Sequence, residues 1–183
     1  MLDRNVDQGV RLIRPNRMYK DAYLSFYNEW KASGEKMVPW VIERDPSNFE
    51  DMLLRLEDDE DPEKLPEGWV TNSTYWLVDD TNVVKIVGVV NIRHALTPVL
   101  RKNGGHIGYG IRPGERRKGY ATILLAKALE IAKNRGISDI LLVCHAHNVA
   151  SERTIRRHGG MEDEGYVDEA GESFKRFWIH PGH

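Results

Sequence analysis

The chain has 183 residues, 40% hydrophobic and 30% charged, with a formal net charge of -2, the balance of a folded protein with no global positive field for nucleic acid or an anionic membrane. The length fits one domain over residues 1–183, which buries enough surface to fold without a metal, and the lone cysteine, Cys144, excludes an intramolecular disulfide. No apolar run reaches the roughly 20 residues of a membrane span and Met1 to Gly9 is a polar extension, not a signal peptide, so a cytoplasmic protein is expected.

Val10 to Arg14 alternates as a first strand that Pro15 ends. Tyr19, Ala22, Tyr23, Phe26, Tyr27 and Trp30 recur at helical spacing, predicting a helix over Met18 to Lys31 that Gly34 stops. Ser47 with Glu50 three residues on predicts a capped helix from Asn48 to Glu57. The acidic run Glu57 to Asp61 is read as a solvated helix end, with a rim for cationic substrates as the other reading.

Thr74 to Val78 and Val83 to Arg93 are expected to form a hairpin turning at Asp79 to Asn82, with a bulge at Gly88. Leu96 to Gly105 reads as a loop, and His106 to Ile111 as a short strand. The best-defined unit follows: a Gly- and Arg-rich loop, a helix over Tyr120 to Asn134 capped by Gly136, and an apolar strand over Asp139 to Cys144. This is a crossover in a mixed sheet. A helix over Ser151 to His158 and a strand over Phe174 to Ile179 complete an α+β sandwich.

The loop Arg116-Arg117-Lys118-Gly119-Tyr120-Ala121 opens the long helix. A helix start leaves about four backbone N–H groups unpaired and carries positive partial charge, a setting for a diphosphate. Gly119 and Ala121 let the backbone approach the phosphates, and Arg116, Arg117 and Lys118 add charge. No nucleotide-triphosphate loop is present, and Gly108-x-Gly110 lacks the third glycine of a dinucleotide fingerprint.

Gly108 to Thr122 resembles the coenzyme A signature of the GNAT-type N-acetyltransferases. Asn148-Val149-Ala150-Ser151-Glu152-Arg153 through Gly159-Gly160 is similar to that family's second motif. The resemblance implies a three-layer α/β/α sandwich around a mixed, mostly antiparallel sheet of six or seven strands with about four helices. It implies acetyl-coenzyme A as co-substrate, a primary amine of a small molecule or peptide as acceptor, direct attack in a ternary complex, and a possible homodimer.

By the same resemblance the pantetheine arm lies in a gap between Ile111 and Pro113 on one side and Leu142 to Cys144 on the other. Amides from Arg117 to Thr122 hold the pyrophosphate, Asn148 bonds the arm, and Ser151 caps the next helix and touches the ligand. The family's acid, a Tyr on that helix, falls on Ile155, which leaves Tyr109, Cys144, His145, Tyr166 or water as candidates. That substitution favours the competing reading of a non-catalytic acyl-coenzyme A-binding module.

His106 is the first candidate for the base that neutralises the amine, since histidine titrates near neutrality. Arg93 and His94 are candidates for the acceptor pocket, as are Tyr27 and Trp40, because Met37 to Trp40 falls where the family roofs its acceptor. Cys144 reads as a small buried residue as readily as an acid. The pair His145 and His147 invites a metal, but the sequence offers no third ligand, so none is expected.

Overall fold

The computed structural model describes residues 9–180, so the extension expected over Met1 to Gly9 lies almost wholly outside the described residues. Two apolar faces decide the architecture. Seven strands, β1 (Val10–Ile13), β2 (Asn72–Asp79), β3 (Lys85–Arg93), β4 (Ile107–Ile111), β5 (Ile140–His145), β6 (Met161–Val167) and β7 (Ser173–Ile179), form the middle layer. Helices α1 (Lys20–Ser33) and α2 (Phe49–Asp58) bury Tyr23, Phe26, Trp30, Phe49 and Met52 against Trp76, Val78, Ile86 and Val89 on one face. On the other, α4 (Tyr120–Asn134) and α5 (Val149–Arg157) bury Leu124, Leu125, Ala128 and Ile155 against Leu77, Val90, Ile107, Leu142 and Phe177. A short α3 (Pro98–Asn103) links β3 to β4.

The strands form not one sheet but two, ordered β1-β2-β3-β4 and β5-β7-β6, each antiparallel. The sheet is open between β4 and β5, where the family resemblance places the gap. A single bridge, Gly105 to Leu142, joins the halves.

Several expectations are refined. The bulge is present: Leu77 pairs with Gly88 and Val78 with Ile86, so Val87 is the extra residue. Gly88 is needed beside it, since a Cβ there would lie 2.9 Å from Ile111 Cδ1 and 3.1 Å from Leu124 Cδ2. The cap of α2 is Asn48, whose side chain accepts from Asp51 N–H, while Ser47 turns back to Asp45. The loop after β3 contains α3, capped by Thr97 with Pro98 in its first turn. The acidic run is occupied internally: Asp58 pairs with Lys64, Asp59 with Arg44, and Glu60 with Arg14 and Arg135.

Gly110 faces α1 and the segment after it. A Cβ there would fall 1.9 Å from the Val38 carbonyl oxygen and 2.5 Å from Trp30 Cη2. Backbone cannot yield as a side-chain tip can, so Gly110→Ala must push Val38–Pro39 off β4. We expect a stability loss of about 1–3 kcal/mol by denaturant titration, the usual cost of overpacking.

Candidate active site

The register of each sheet decides which backbone groups face the gap between β4 and β5. Arg93 N–H donates to the His106 carbonyl and Arg112 N–H to Val87, so the His106 carbonyl and the main-chain groups of Gly108, Gly110 and Arg112 turn toward β3. Ile107, Tyr109 and Ile111 therefore present their main-chain groups to β5. On β5, the Ala146 N–H bond to Ser173 leaves Leu141, Val143 and His145 facing β4.

Only the first of these positions are joined. His106 N–H donates to the Leu141 carbonyl at 2.7 Å, and Leu141 N–H donates to His106 Nδ1 at 3.0 Å. Beyond this junction no ladder connects the strands, so the sheet opens as a wedge toward Ile111 and His145. Tyr109, Val143 and the Ile111 N–H line it with backbone that has no partner across the wedge among the described residues. The expectation that Leu142 to Cys144 form the far wall is narrowed, since Leu142 and Cys144 turn their backbone to β7.

At the open end lies the loop. Pro113 begins a 3-10 turn, Arg117 has φ 62 and Gly119 has φ 90. Left-handed residues within such a turn direct neighbouring N–H groups toward one concavity, the form of an anion nest. Among the described residues, the amides of Arg117, Lys118, Gly119, Tyr120 and Ala121 have no protein acceptor, while Thr122 N–H bonds back to Gly119. Gly119 caps α4 without a side-chain bond, so the nest stays open.

The loop's side chains divide their work. Arg116 is a strut: its Nε donates to the Ile111 carbonyl at 3.2 Å and its guanidinium forks onto Glu35. Lys118 pairs with Glu115 at 2.7 Å. The Tyr120 hydroxyl is bound to Asp79, leaving only its amide for a ligand. Arg117 is exposed and makes no ion pair among the described residues. From the other side, Glu29 on α1 accepts from Gly114 N–H at 2.8 Å and Arg112 Nε at 2.6 Å, fixing the loop to that helix.

Two arginines assigned no ligand from sequence also stand here. Arg153 and Arg157, with Thr122 and Thr154, line a cavity of about 340 Å³ between α4 and α5. A larger groove of about 960 Å³, lined by His94, Arg101, Arg135 and Trp178, flanks the joined end of the wedge. It lies away from the open amides.

The cap expected of Ser151 is made by Asn148. Asn148 caps α5, accepting from Ser151 N–H at 3.0 Å, and the Ser151 hydroxyl is freed to meet Tyr109 Oη at 3.1 Å. The Tyr109–Ser151 contact thus ties β4 to α5. Burial pushes the Tyr109 hydroxyl up to about 12 against the opposing pull of Ser151. Cys144 is buried beside them, and burial raises its thiol. Ile155 is only 1% exposed and packed in the core, so α5 presents no hydroxyl there.

His106 has no lone pair to offer as a base. Its Nδ1 accepts from Leu141, which assigns the proton to Nε2, and burial with nearby Arg101 and Arg93 lowers it to about 4. Folding favours the neutral ring, so this stability is complete above pH ~6.5 and is lost as pH falls toward 4, by roughly 3 kcal/mol. We expect His106→Asn, whose amide oxygen can replace Nδ1, to lose much of this acid sensitivity in denaturant titrations at pH 4.5 and 7.

Arg93 and His94 are likewise engaged within the protein. Arg93 Nη1 donates to the Gly104 and Gly105 carbonyls, and burial lowers the guanidinium to about 10. His94 bonds the hydroxyls of Ser73 and Thr71. On the α1 side of β4, Val38–Pro39 lies directly over Gly108 and Gly110. Trp40 packs edge-on to Trp69 at 5.3 Å beneath the Arg44 guanidinium, and Tyr27 is buried in the α1 core.

A wedge of unpaired backbone leading from an anion nest defines a protein that takes an extended, amide-bearing arm ending in a diphosphate, as an acyl carrier does. The acetyltransferase (GNAT) family model matches residues 19–160, and the chain belongs to that family. It is accordingly an acetyl-coenzyme A-dependent N-acetyltransferase.

Solved structures agree on the fold. The microcin C7 self-immunity acetyltransferase MccE, in complex with acetyl-CoA and AMP, is 17% identical with a TM-score of 0.68, covering 96% of this chain and 94% of that one. RimL, the ribosomal L7/L12 alpha-N-protein acetyltransferase, in complex with coenzyme A, is 16% identical with a TM-score of 0.67, covering 96% of each. The spermidine/spermine N-acetyltransferase SpeG from Vibrio cholerae is 16% identical with a TM-score of 0.65, covering 95% of each. No curated protein sequence matches the chain. No described helix is long and apolar enough to cross a membrane.

Proposed function

We propose that the chain acetylates a primary amine of a small molecule or peptide, with the thioester held in the wedge and the amine arriving from beneath Val38–Pro39. The single observation carrying this reading is the run of unpaired amides from Arg117 to Ala121 at the mouth of an unzipped strand pair. The nest holds the diphosphate, with Arg117 and the cavity of Arg153 and Arg157 as cationic neighbours. Tyr109 and Val143 backbone pair with the pantetheine amides, and Ile111 N–H polarises the acetyl carbonyl.

The amine nitrogen attacks the carbonyl carbon, the C–S bond breaks, and the departing thiolate takes the Tyr109 hydroxyl proton, leaving an acetamide and free coenzyme A thiol; the Tyr109 phenolate then recovers a proton from water, which balances the one the amine releases. The amine's own proton leaves to water at the open end, since His106 is closed to it. Tyr109 reaches from β4 to Ser151 on α5, one turn before Ile155, and supplies the hydroxyl that position 155 lacks.

SpeG and RimL, named for a polyamine and for a protein N-terminus, share this fold, so it fixes the donor more tightly than the acceptor. A thiol-release screen of acetyl-coenzyme A against polyamines, amino acids and peptide N-termini is expected to give saturable release with at least one class. Tight cofactor binding with no release on any amine would overturn the reading in favour of a binding module.

A further inference from the structure

We propose that His145, His147 and Glu172 form a site for a divalent transition-metal ion of the zinc class. His145 is the last residue of β5, His147 follows in the turn before α5, and Glu172 closes the turn between β6 and β7. Phe174, the register partner of His145, brings the second segment alongside, with the two rings 4.6 Å apart. Among the described residues, these three form the one grouping of histidine, cysteine or carboxylate donors whose ligand atoms all lie within 4.8 Å of one another.

The donors converge without satisfying each other. His145 Nδ1 stands 3.7 Å from Glu172 Oε2, beyond hydrogen-bond length, and this nitrogen is buried with no hydrogen-bond partner. A buried unpaired ring nitrogen in a native site calls for an occupant. The His145 and His147 rings are held 5.2 Å apart and tilted by 31°.

Two imidazoles and a carboxylate, with water completing the shell, are a set that zinc accepts, and imidazole also suits copper and nickel. Bonds of about 2.1 Å to a tetrahedral ion would separate the donors by roughly 3.4 Å. His147 and Glu172 are both exposed and can close the remaining distance by side-chain rotation.

Acetyl transfer itself uses no metal, and no step of it is routed through this ion. Its effect would be mechanical: it ties the turn between β6 and β7 to the end of β5, three residues before Asn148. The proposal stands apart from the acetyl-transfer reading, because its test measures binding and not activity.

The test uses the full chain, untagged and stripped with chelator. Equilibrium dialysis against Zn²⁺ is expected to leave one tightly held equivalent, and Co²⁺ to produce a visible absorption band. His147→Ala and Glu172→Gln should each weaken Zn²⁺ binding at least about tenfold, since loss even of an outer-shell partner costs roughly 10–100-fold. His180→Ala, at a remote histidine, should bind as wild type. Both ligand variants alter exposed side chains, so their folds should persist, and circular dichroism verifies this. Equal Zn²⁺ affinity in wild type and both ligand variants, or no tightly held equivalent in wild type, overturns the proposal and leaves His145 and Glu172 as a bare pair at the end of β5.

Discussion

Gly119→Glu is expected to abolish acetyl-coenzyme A binding, with no calorimetric signal at concentrations that saturate wild type. Gly119 sits at φ 90, and nothing lies within 4 Å of a Cβ placed there. The fold therefore has room for the side chain, and the damage falls on the nest. A non-glycine residue in this left-handed region costs about 1–2 kcal/mol. A carboxylate some 4 Å from a phosphate adds about 1–4 kcal/mol of repulsion, depending on solvent screening. Together these amount to roughly 100-fold or more in affinity. Gly119→Asn separates the contributions, since Asn visits this region more readily and brings no charge. It should remain within about tenfold of wild type. If Gly119→Glu binds like wild type, the diphosphate is held elsewhere.

The second large effect is expected in Tyr109→Phe. The hydroxyl meets Ser151 at 3.1 Å, and with its proton held up to about 12 it stays protonated across any practical assay range. General acid catalysis contributes about 10²–10⁴-fold, and a thiol is a fair leaving group, so the lower end applies. Turnover should fall by roughly 100-fold while the Michaelis constant for acetyl-coenzyme A stays near wild type. A structural role alone would instead lower the melting temperature and weaken the cofactor with little change in turnover. Unchanged turnover in the Phe variant would remove Tyr109 from the reaction.

What the sequence disclosed was what short-range order dictates. The helix Tyr120 to Asn134 was legible to the residue, because an apolar stripe, an opening Gly119 and a closing Gly136 are all local signals. β6 was not legible. Its residues Met161 to Glu164 are exposed and it pairs only with β7, so no buried face imposes alternation on it. The break between β4 and β5 was expected from the family motif, but its extent depends on how His106 meets Leu141 across 35 residues.

The same limit explains the misplaced side chains. Residue type nominated His106 as a base, and only tertiary packing discloses that Leu141 occupies its lone pair. Arg116 carried the right charge for a phosphate, yet Glu35, far away in sequence, takes it. Glu172 lies 25 residues beyond His147, outside any spacing that would mark it as a companion.

The half-unzipped middle layer has a thermodynamic consequence. With strand pairing between the halves confined, among the described residues, to the junction of Gly105 and His106 with Leu141 and Leu142, a pantetheine arm entering the wedge would break no strand-to-strand bond and would complete a ladder left unfinished. The cofactor would thereby become part of the architecture as well as a reagent. Occupancy at 100 times the dissociation constant would add about 2.7 kcal/mol to the free energy of unfolding. The lifetime of the folded chain would then rise and fall with the supply of acetylated carrier, so a protein short of donor would be the first exposed to proteolysis.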